Sequence, residues 1–329
     1  MLRRTLLASA CAVLPASRST SAPGRTQVRV AVGPYLTMSP FYVGYEFGYF
    51  TDAGFDVELK TGIGSVQLIP LAAGGEVDVC FLSQSPPFLN AVAKGARIKI
   101  VAGRDKAMST CRGTGTVYVR QREFPNGISD LRLLRGKKVA LTGTLGGHTH
   151  FVLDVLLEHF GMRPDDVQVL EMRQKAECIA ALRSGAVDAL VSDSTDLRPL
   201  QATLQLTTGP ELADVLPGYE YSYIMFGRRL LDADVRTGAN FLAAYLRGAR
   251  EYLNGKTPAF MDEFARSSGL DPKVVRAECR DRFVHDGSIK VEDLRYYIRW
   301  AAAKGYCPAG LDPAACIDMR FLAAMQQGH

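Results

Sequence analysis

Long apolar runs are missing from this 329-residue chain: no stretch reaches the roughly 18 to 20 apolar residues that a membrane-spanning helix needs. Clustered charge is missing too. The net charge of +5, with a pI near 8.8, is spread along the chain. No Lys/Arg run is interleaved with aromatics, which leaves nucleic-acid binding without support. No CxxC pair and no His/Cys cluster has zinc spacing. No G-x-x-x-x-G-K phosphate loop occurs. Acidic residues are absent before Glu46. What remains is an ordinary globular composition, 47% hydrophobic and 22% charged, sufficient for one large domain or two lobes. The mildly basic balance fits an anionic small ligand slightly better than a cationic one.

The acid-free start has its own pattern. "MLRRTLLASACAVLPAS" places two arginines before an apolar run and small residues, as a secretory leader does. A signal peptide is expected over residues 1–24, with a cleavage point after Ala22, and hence a periplasmic mature protein. Cys11 faintly resembles a lipoprotein attachment cysteine, but it comes too early, so lipid anchoring there is not expected. An exported chain permits disulfides. Of the cysteines beyond the leader, Cys307 and Cys316 flank the loop "CPAGLDPAAC" and form the best candidate pair. Cys80, in "VDVCFL", reads as a small buried side chain.

From residue 28, short β runs alternate with helical stretches. "VRVAVG", "FDVEL", "VDVCFL" and "IKIVAG" read as strands, separated by helices starting near Ser39, Ser65 and Ser85. This is the βαβ pattern of a parallel sheet. It then repeats over 138–192. Sliding the chain on itself by 110 residues aligns the two units without a gap: Gly33 meets Gly143, Phe50 meets Phe160, and Val77-Asp78 meets Val187-Asp188. Two similar α/β lobes predict a clamp, with ligand held outside the carboxyl ends of the strands, where helix N-termini offer free N–H groups. By this duplication, 34–40 of one lobe faces 144–150 of the other. After a strand near 219–229 the chain reads as helical to its end, including "DPKVVRAECRDRF" and "VEDLRYYIRWAAAKG". Asp271-Pro272 and Asp312-Pro313 read as helix starts.

The residues from Pro40-x-Tyr42 through Gly48-Tyr49-Phe50, Gly54 to Glu58, Gly64-Ser65 and Gly75-Glu76-Val77-Asp78 resemble the solute-binding proteins of ABC importers. The branch they are most similar to serves nitrate, sulfonates, taurine and thiamine-pyrimidine precursors. "LRGKKVAL", the His150 helix start and "GAVDAL" extend the resemblance over about residues 28 to 260. It implies a two-lobe, type II periplasmic-binding fold of the α/β class, each lobe a mainly parallel sheet flanked by helices, with a helical C-terminal region. It also implies a lobe 1 over 25–105, a lobe 2 over 106–227, and a return to lobe 1 over 228–329, with hinges near 102–108 and 225–229. The implied partners are a small-molecule ligand and a membrane ABC permease with its ATPase. A monomer without cofactor, nucleic acid or enzymatic activity is expected. The alternatives are an enzyme on the same fold in pyrimidine-precursor or menaquinone-type biosynthesis, and a ligand-sensing module. The dense cysteine motif of the pyrimidine-forming enzymes is absent.

Candidate ligand residues lie at the strand ends. Ser39, Phe41 and Tyr42 mix a hydroxyl with aromatic walls; Gly64 and Ser65 open a helix; Ser83, Gln84 and Ser85 follow a strand. In the second lobe, "GTLGGHTH" offers Thr144, Gly146, Gly147, Thr149 and His150. His148 and His150, two apart, do not share a helix face and have no acidic or Cys ligand beside them, so no metal site is expected. Asp193 argues for a ligand with an amine or ring N–H. Tyr221, and equally Tyr223, could stack on a ring or pack in a strand. Arg104 and Lys106 read as a solvated hinge. Asp78 and Asp188 begin strands away from the cleft and read as structural.

Overall fold

The computed structural model describes residues 24–172, 174–192 and 197–327. Residues 1–23 of the expected leader, with Cys11, and Asp193 lie outside the described residues, as does the side chain of Ser65. Among the described residues, ten strands form two five-stranded sheets. They are β1 (Thr26–Ala31), β2 (Phe55–Lys60), β3 (Val79–Ser83), β4 (Ile98–Lys106), β5 (Thr116–Arg120), β6 (Lys138–Thr142), β7 (Gln168–Met172), β8 (Ala189–Ser192), β9 (Leu206–Glu211) and β10 (Glu220–Gly227). The sheet orders are β2-β1-β3-β10-β4 and β7-β6-β8-β5-β9. In each, three strands run parallel and the fourth, supplied from across the molecule, is antiparallel.

The two sheets repeat one another down to a side chain. Asp78 Oδ2 accepts the Arg29 N–H at 2.8 Å, and Asp188 Oδ2 accepts the Lys138 N–H at 2.9 Å. Each carboxylate satisfies a backbone donor at the start of its sheet, the structural role expected of them. The register also refines the internal repeat. Val30 faces Val79 and Val139 faces Ala189. The β3-to-β8 offset is therefore 110 and the β1-to-β6 offset 109, which puts one extra residue in the loop after β6.

β10 pairs with both β3 and β4. The chain is thus back in the first sheet by Glu220, ahead of the return expected at 228. The two crossovers between sheets run over 107–115 and 212–219, and the segment 225–229 lies at the end of β10 away from the cleft. Side chains alternate across the first sheet. Val79, Phe81, Ile224 and Phe226 face an aromatic core with Phe41, Phe50, Phe241 and Tyr245. Cys80, Leu82, Tyr223 and Met225 face the other way, into a cluster that continues through Tyr297 and Ile298 to Phe151 of the second lobe.

That continuity comes from the helix Val291–Ala303, which lies against both lobes. Phe151, on the helix His148–His159, meets Tyr296, Tyr297 and Trp300 edge-on, with centroids 5.4 to 5.6 Å apart. Asp154 accepts the Trp300 indole N–H at 2.9 Å and pairs with Lys304 at 2.6 Å. Asp271 and Asp312 cap their helices by accepting the N–H two residues on, as their Asp-Pro pairs predict.

Two expectations need correction. The helix that opens at Pro272 ends at Arg276 rather than running through Phe283. Residues 282–284 instead lie along the end of β4: the Lys106 N–H donates to the Arg282 carbonyl, and the Val284 N–H to the Arg104 carbonyl. Sheet-type bonds replace helical ones here. The disulfide joins Cys111 to Cys279, with Cα atoms 5.3 Å apart. Cys307 and Cys316 are both buried free thiols. Spacing along the chain suits them to one another, but Cys307 Sγ lies against the Ile298 carbonyl.

Candidate functional site

Parallel strands send their carboxyl ends toward the space between the lobes. β10 runs the other way, so its start, Tyr219 to Tyr221, arrives at the same place. There the Gln84 Nε2 donates to the Tyr219 hydroxyl at 3.0 Å and lies 3.5 Å from Nδ1 of His148. Gln84 also anchors its backbone N–H on the Tyr221 carbonyl, at 3.0 Å. The Tyr221 ring stacks on the His148 ring, with centroids 4.4 Å apart and an interplanar angle of 16°. Gln84 and Tyr221 belong to the first lobe, Tyr219 ends the second crossover, and His148 belongs to the second lobe. The four form a polar and aromatic contact across the cleft.

The floor is supplied by residues that no local motif announces. Arg282, 2% exposed, donates from Nη2 to the Thr114 Oγ1 and to the Tyr221 hydroxyl, the latter at 3.3 Å. Thr114 lies on the first crossover and is itself buried. Three residues upstream of each partner sit Cys111 and Cys279, so the disulfide fastens the two segments that carry Thr114 and Arg282. Arg104, expected in a solvated hinge, is buried instead; its Nε donates to Asp105 at 2.8 Å. That pair neutralises charge inside the lobe.

The glycine-rich turn does its work through backbone. Gly146 has φ +79°, its N–H donates to His150 Nδ1 at 2.9 Å, and its carbonyl accepts from the Tyr297 hydroxyl at 2.6 Å. A bound Nδ1 leaves the proton of a neutral His150 on Nε2, facing Asp154 at 3.8 Å. Burial holds the His150 pKa below the usual imidazole range, Asp154 opposing and Lys304 assisting. His150 therefore joins the turn to the helix Val291–Ala303, with Trp300 and Tyr306 edge-on to its ring. Gly147 is the residue before the helix, and Thr149 donates to the Thr142 carbonyl at 2.8 Å. Thr144 is half-buried and accepts the Gly147 N–H through its carbonyl.

A Cβ on Gly146 would lie 2.7 Å from Pro86 Cγ and 2.8 Å from Tyr306 Cγ. The facing loop is thus 84–86, not 34–40. From the latter loop, Tyr35 meets Lys175 of the second lobe, with Nζ 5.6 Å from the ring centre. Gly146→Ala should cost about 1–3 kcal/mol, through left-handed backbone strain and overpacking. It should also hold the lobes apart, readable as a lower melting temperature and a larger radius of gyration by X-ray scattering. An unchanged radius would place the clash elsewhere.

The other candidates are dispersed. Phe41 sits in the aromatic core beside Phe50 and Phe81. Tyr42 stacks on Phe260 at 4.1 Å. Ser39 is fully buried and donates to the Leu36 carbonyl. Gly64 precedes the helix Ser65–Gly74 and is exposed. Ser83 ends β3 opposite Ser222, and Ser85 precedes the helix Pro86–Ala93. Tyr223 is core. An open pocket of about 420 Å³ near Asn126, Thr208 and Asp214 lies on the second lobe; its Arg112 is already held by Asp214 at 2.9 and 3.1 Å.

Among solved structures, the periplasmic aliphatic sulphonate binding protein SsuA from Escherichia coli matches with a TM-score of 0.70 at 17% identity, over 91% of this chain and 93% of that one. The alkanesulfonate-binding protein SsuA from Xanthomonas axonopodis pv. citri, bound to MOPS, matches with a TM-score of 0.67 at 16% identity, over 91% and 100%. At these identities the likeness shows the fold: two lobes of periplasmic-binding type. Among curated proteins, the 4-amino-5-hydroxymethyl-2-methylpyrimidine phosphate synthase THI11 of Saccharomyces cerevisiae is 29% identical over 129 residues, 39% of this chain. The match spans only 34% of that relative's length. The family model described as NMT1/THI5 like matches residues 36–257, and the chain belongs to that family.

Proposed function

We propose that this chain is an exported, periplasmic solute-binding protein that captures a small organic solute between its lobes and delivers it to an ABC importer. The observation that carries the reading is the His148–Tyr221 stack across the cleft, ringed by Gln84 and Tyr219. A flat solute entering between the lobes exchanges that ring-on-ring contact for two of its own, and the Gln84 amide and Tyr219 hydroxyl orient its polar edge. The sulfonate-binding proteins of like fold support the class. The ring stack and the Gln84 and Tyr219 hydrogen bonds are suited to holding and orienting a solute. A second reading, an enzyme acting on a pyrimidine precursor, draws on the curated relatives and on the family model that covers residues 36–257.

Native mass spectrometry of the full chain against a mixture of small sulfonates, carboxylated aromatics and pyrimidines tests the proposal. The expected result is a one-to-one adduct that persists unconverted. The captured solute should stabilise the fold by ~2.7 kcal/mol at a hundredfold excess over its Kd. Conversion of a solute without a stable adduct would sink the reading.

A further inference from the structure

We propose that the segment 287–318, with the helix Val291–Ala303 at its middle, is a releasable strap between the lobes. It stays fixed to the first lobe and grips the second through side chains alone, so the lobes separate only when that grip lets go. The strap is a third connection beside the two crossovers, and it acts whatever the cleft holds.

The segment begins and ends on one strand of the first sheet. At its start the Gly103 N–H donates to the Gly287 carbonyl at 3.2 Å, and at its end the Asp318 N–H donates to the Ile100 carbonyl at 2.8 Å. Gly103 and Ile100 both lie in β4. Between those points Asp293 accepts the Glu220 N–H at 2.8 Å. The Tyr306 carbonyl accepts from the side-chain amide of Asn90, also at 2.8 Å, and Asn90 lies on the first-lobe helix Pro86–Ala93. Leu294, Tyr297, Ile298 and Ala301 share one buried cluster with Cys80, Tyr223 and Met225 of the first sheet. Main-chain bonds at both ends and apolar packing between them make the first lobe the strap's fixed side.

The grip on the second lobe is of another kind. Among the described residues, no backbone hydrogen bond joins 287–318 to 116–211. Three polar contacts are made by side-chain tips. The Tyr297 hydroxyl donates to the Gly146 carbonyl at 2.6 Å, the Trp300 indole N–H donates to Asp154 Oδ2 at 2.9 Å, and the Lys304 ammonium meets the same oxygen at 2.6 Å. Phe151 meets the rings of Tyr296, Tyr297 and Trp300 edge-on. All these attachments fall on one helix, His148–His159, and the turn before it.

Asp154 sets where the strap docks. It is 7% exposed, and its Oδ1 has no hydrogen-bond partner among the described residues. A buried carboxylate is tolerated when it is paired, and both groups at hydrogen-bond distance from Asp154 come from the strap. When the helix lifts, water takes their place on the carboxylate. When it settles, the carboxylate accepts it only in the register that returns Trp300 and Lys304. Polar contacts of this sort exchange with water at small net cost, while the aromatic rings favour the docked state. The balance suits a contact that opens and shuts.

Trp300 is the single tryptophan of the chain, so its fluorescence reports the grip. In the full oxidised chain, Asp154→Ala combined with Tyr297→Phe removes the three polar contacts and leaves the rings of Phe151 and Trp300. The double variant should show red-shifted emission, an acrylamide quenching constant raised at least twofold, and a larger radius of gyration by X-ray scattering. These are read at a temperature where its far-ultraviolet circular dichroism equals the parent's. Raised quenching with an unchanged radius overturns the proposal, because the helix would then lift without freeing the lobes. A larger radius with unchanged quenching overturns it too, because the helix would then travel with the second lobe. No change in either shows that the contacts hold nothing. Should the double variant fail to fold, Lys304→Met removes the ion pair alone from a partly exposed side chain. It should raise both quenching and radius by smaller amounts, and the same three contrary results overturn the strap.

Discussion

Reducing the Cys111–Cys279 bond, or replacing both cysteines by alanine, should lower the unfolding free energy by about 3–5 kcal/mol. The bond closes a loop across 168 positions, and the chain-entropy cost of leaving such a loop open in the unfolded state is about 5 kcal/mol. The comparison is clean because the other described cysteines, Cys80, Cys178, Cys307 and Cys316, are buried. Burial pushes the thiols of Cys80 and Cys316 up to about 12, which leaves almost no thiolate to exchange. Cys279 is half-buried, so a reductant reaches the bond from its side. The measurement is a urea transition with and without dithiothreitol, with alkylation and mass spectrometry to count the cysteines released. The reduced chain should unfold at clearly lower urea, with the contact between Thr114 and Arg282 loosened, since each sits three residues from a released cysteine. Coincident transitions would show that the unfolded chain gains nothing from the cut.

Why the cysteine pairing escaped the sequence is a matter of range. Cys307 and Cys316 are neighbours along the chain, and a short Pro/Gly loop between cysteines is a local signal. Cys111 and Cys279 meet only because the chain crosses between lobes twice and then returns along β4. The same reach hides Arg282: apolar residues at helical spacing continue past Arg276, while the backbone turns to bond Lys106 and Arg104. β9 is hidden for a different reason. Gly209 and Pro210 argue against a strand, and β9 tolerates them because it is the sheet's edge. What was legible obeyed local rules or internal repetition. The βαβ units show apolar strands with glycine stops, and the 110-residue repeat names two lobes. Asp78 and Asp188 recur because each must cap the same backbone donor. Of the candidates, Gln84 was marked by standing at a strand end, and Tyr221 as an aromatic able to stack or to pack in a strand. Phe41 stood at an equivalent end, but its helix turns it into the core. The glycine-rich histidine turn was visible at a strand end; His148 meets Gln84 and Tyr221 of the first lobe, while His150 meets Trp300 and Tyr306 of the C-terminal segment.

Glu220→Gln should remove most of the pH dependence of stability between about pH 4.5 and 8. Glu220 is 2% exposed, and its Oε1 has no hydrogen-bond partner among the described residues. Its Oε2 receives only a long bond, 3.4 Å, from the Lys290 N–H. Burial therefore raises its pKa from 4.5 to about 8, with Asp293 and Asp286 adding to the rise and Lys290 opposing it. The sign follows from proton counts: between those two values the folded chain holds a proton that the unfolded chain has released. Stability is thus greatest below about pH 4.5, falls as pH rises, and levels off above about 8. The expected loss is on the order of a few kcal/mol. Glutamine keeps the shape and the hydrogen-bonding edge without the charge, so the variant should match the parent near pH 4.5 and exceed it at pH 9. Denaturation midpoints at pH 5, 7 and 9 check this, and parallel slopes for parent and variant would refute it. Asp293, which accepts the Glu220 N–H at 2.8 Å and whose pKa burial also raises, should leave a smaller dependence of the same sign in the variant. The room for the uncharged carboxyl comes from Gly103, where a Cβ would lie 2.8 Å from Oε2 of Glu220 and 2.3 Å from the Ser288 carbonyl. Because Glu220 opens β10, where the chain re-enters the first sheet, ionising it loads the point at which the second crossover joins that sheet.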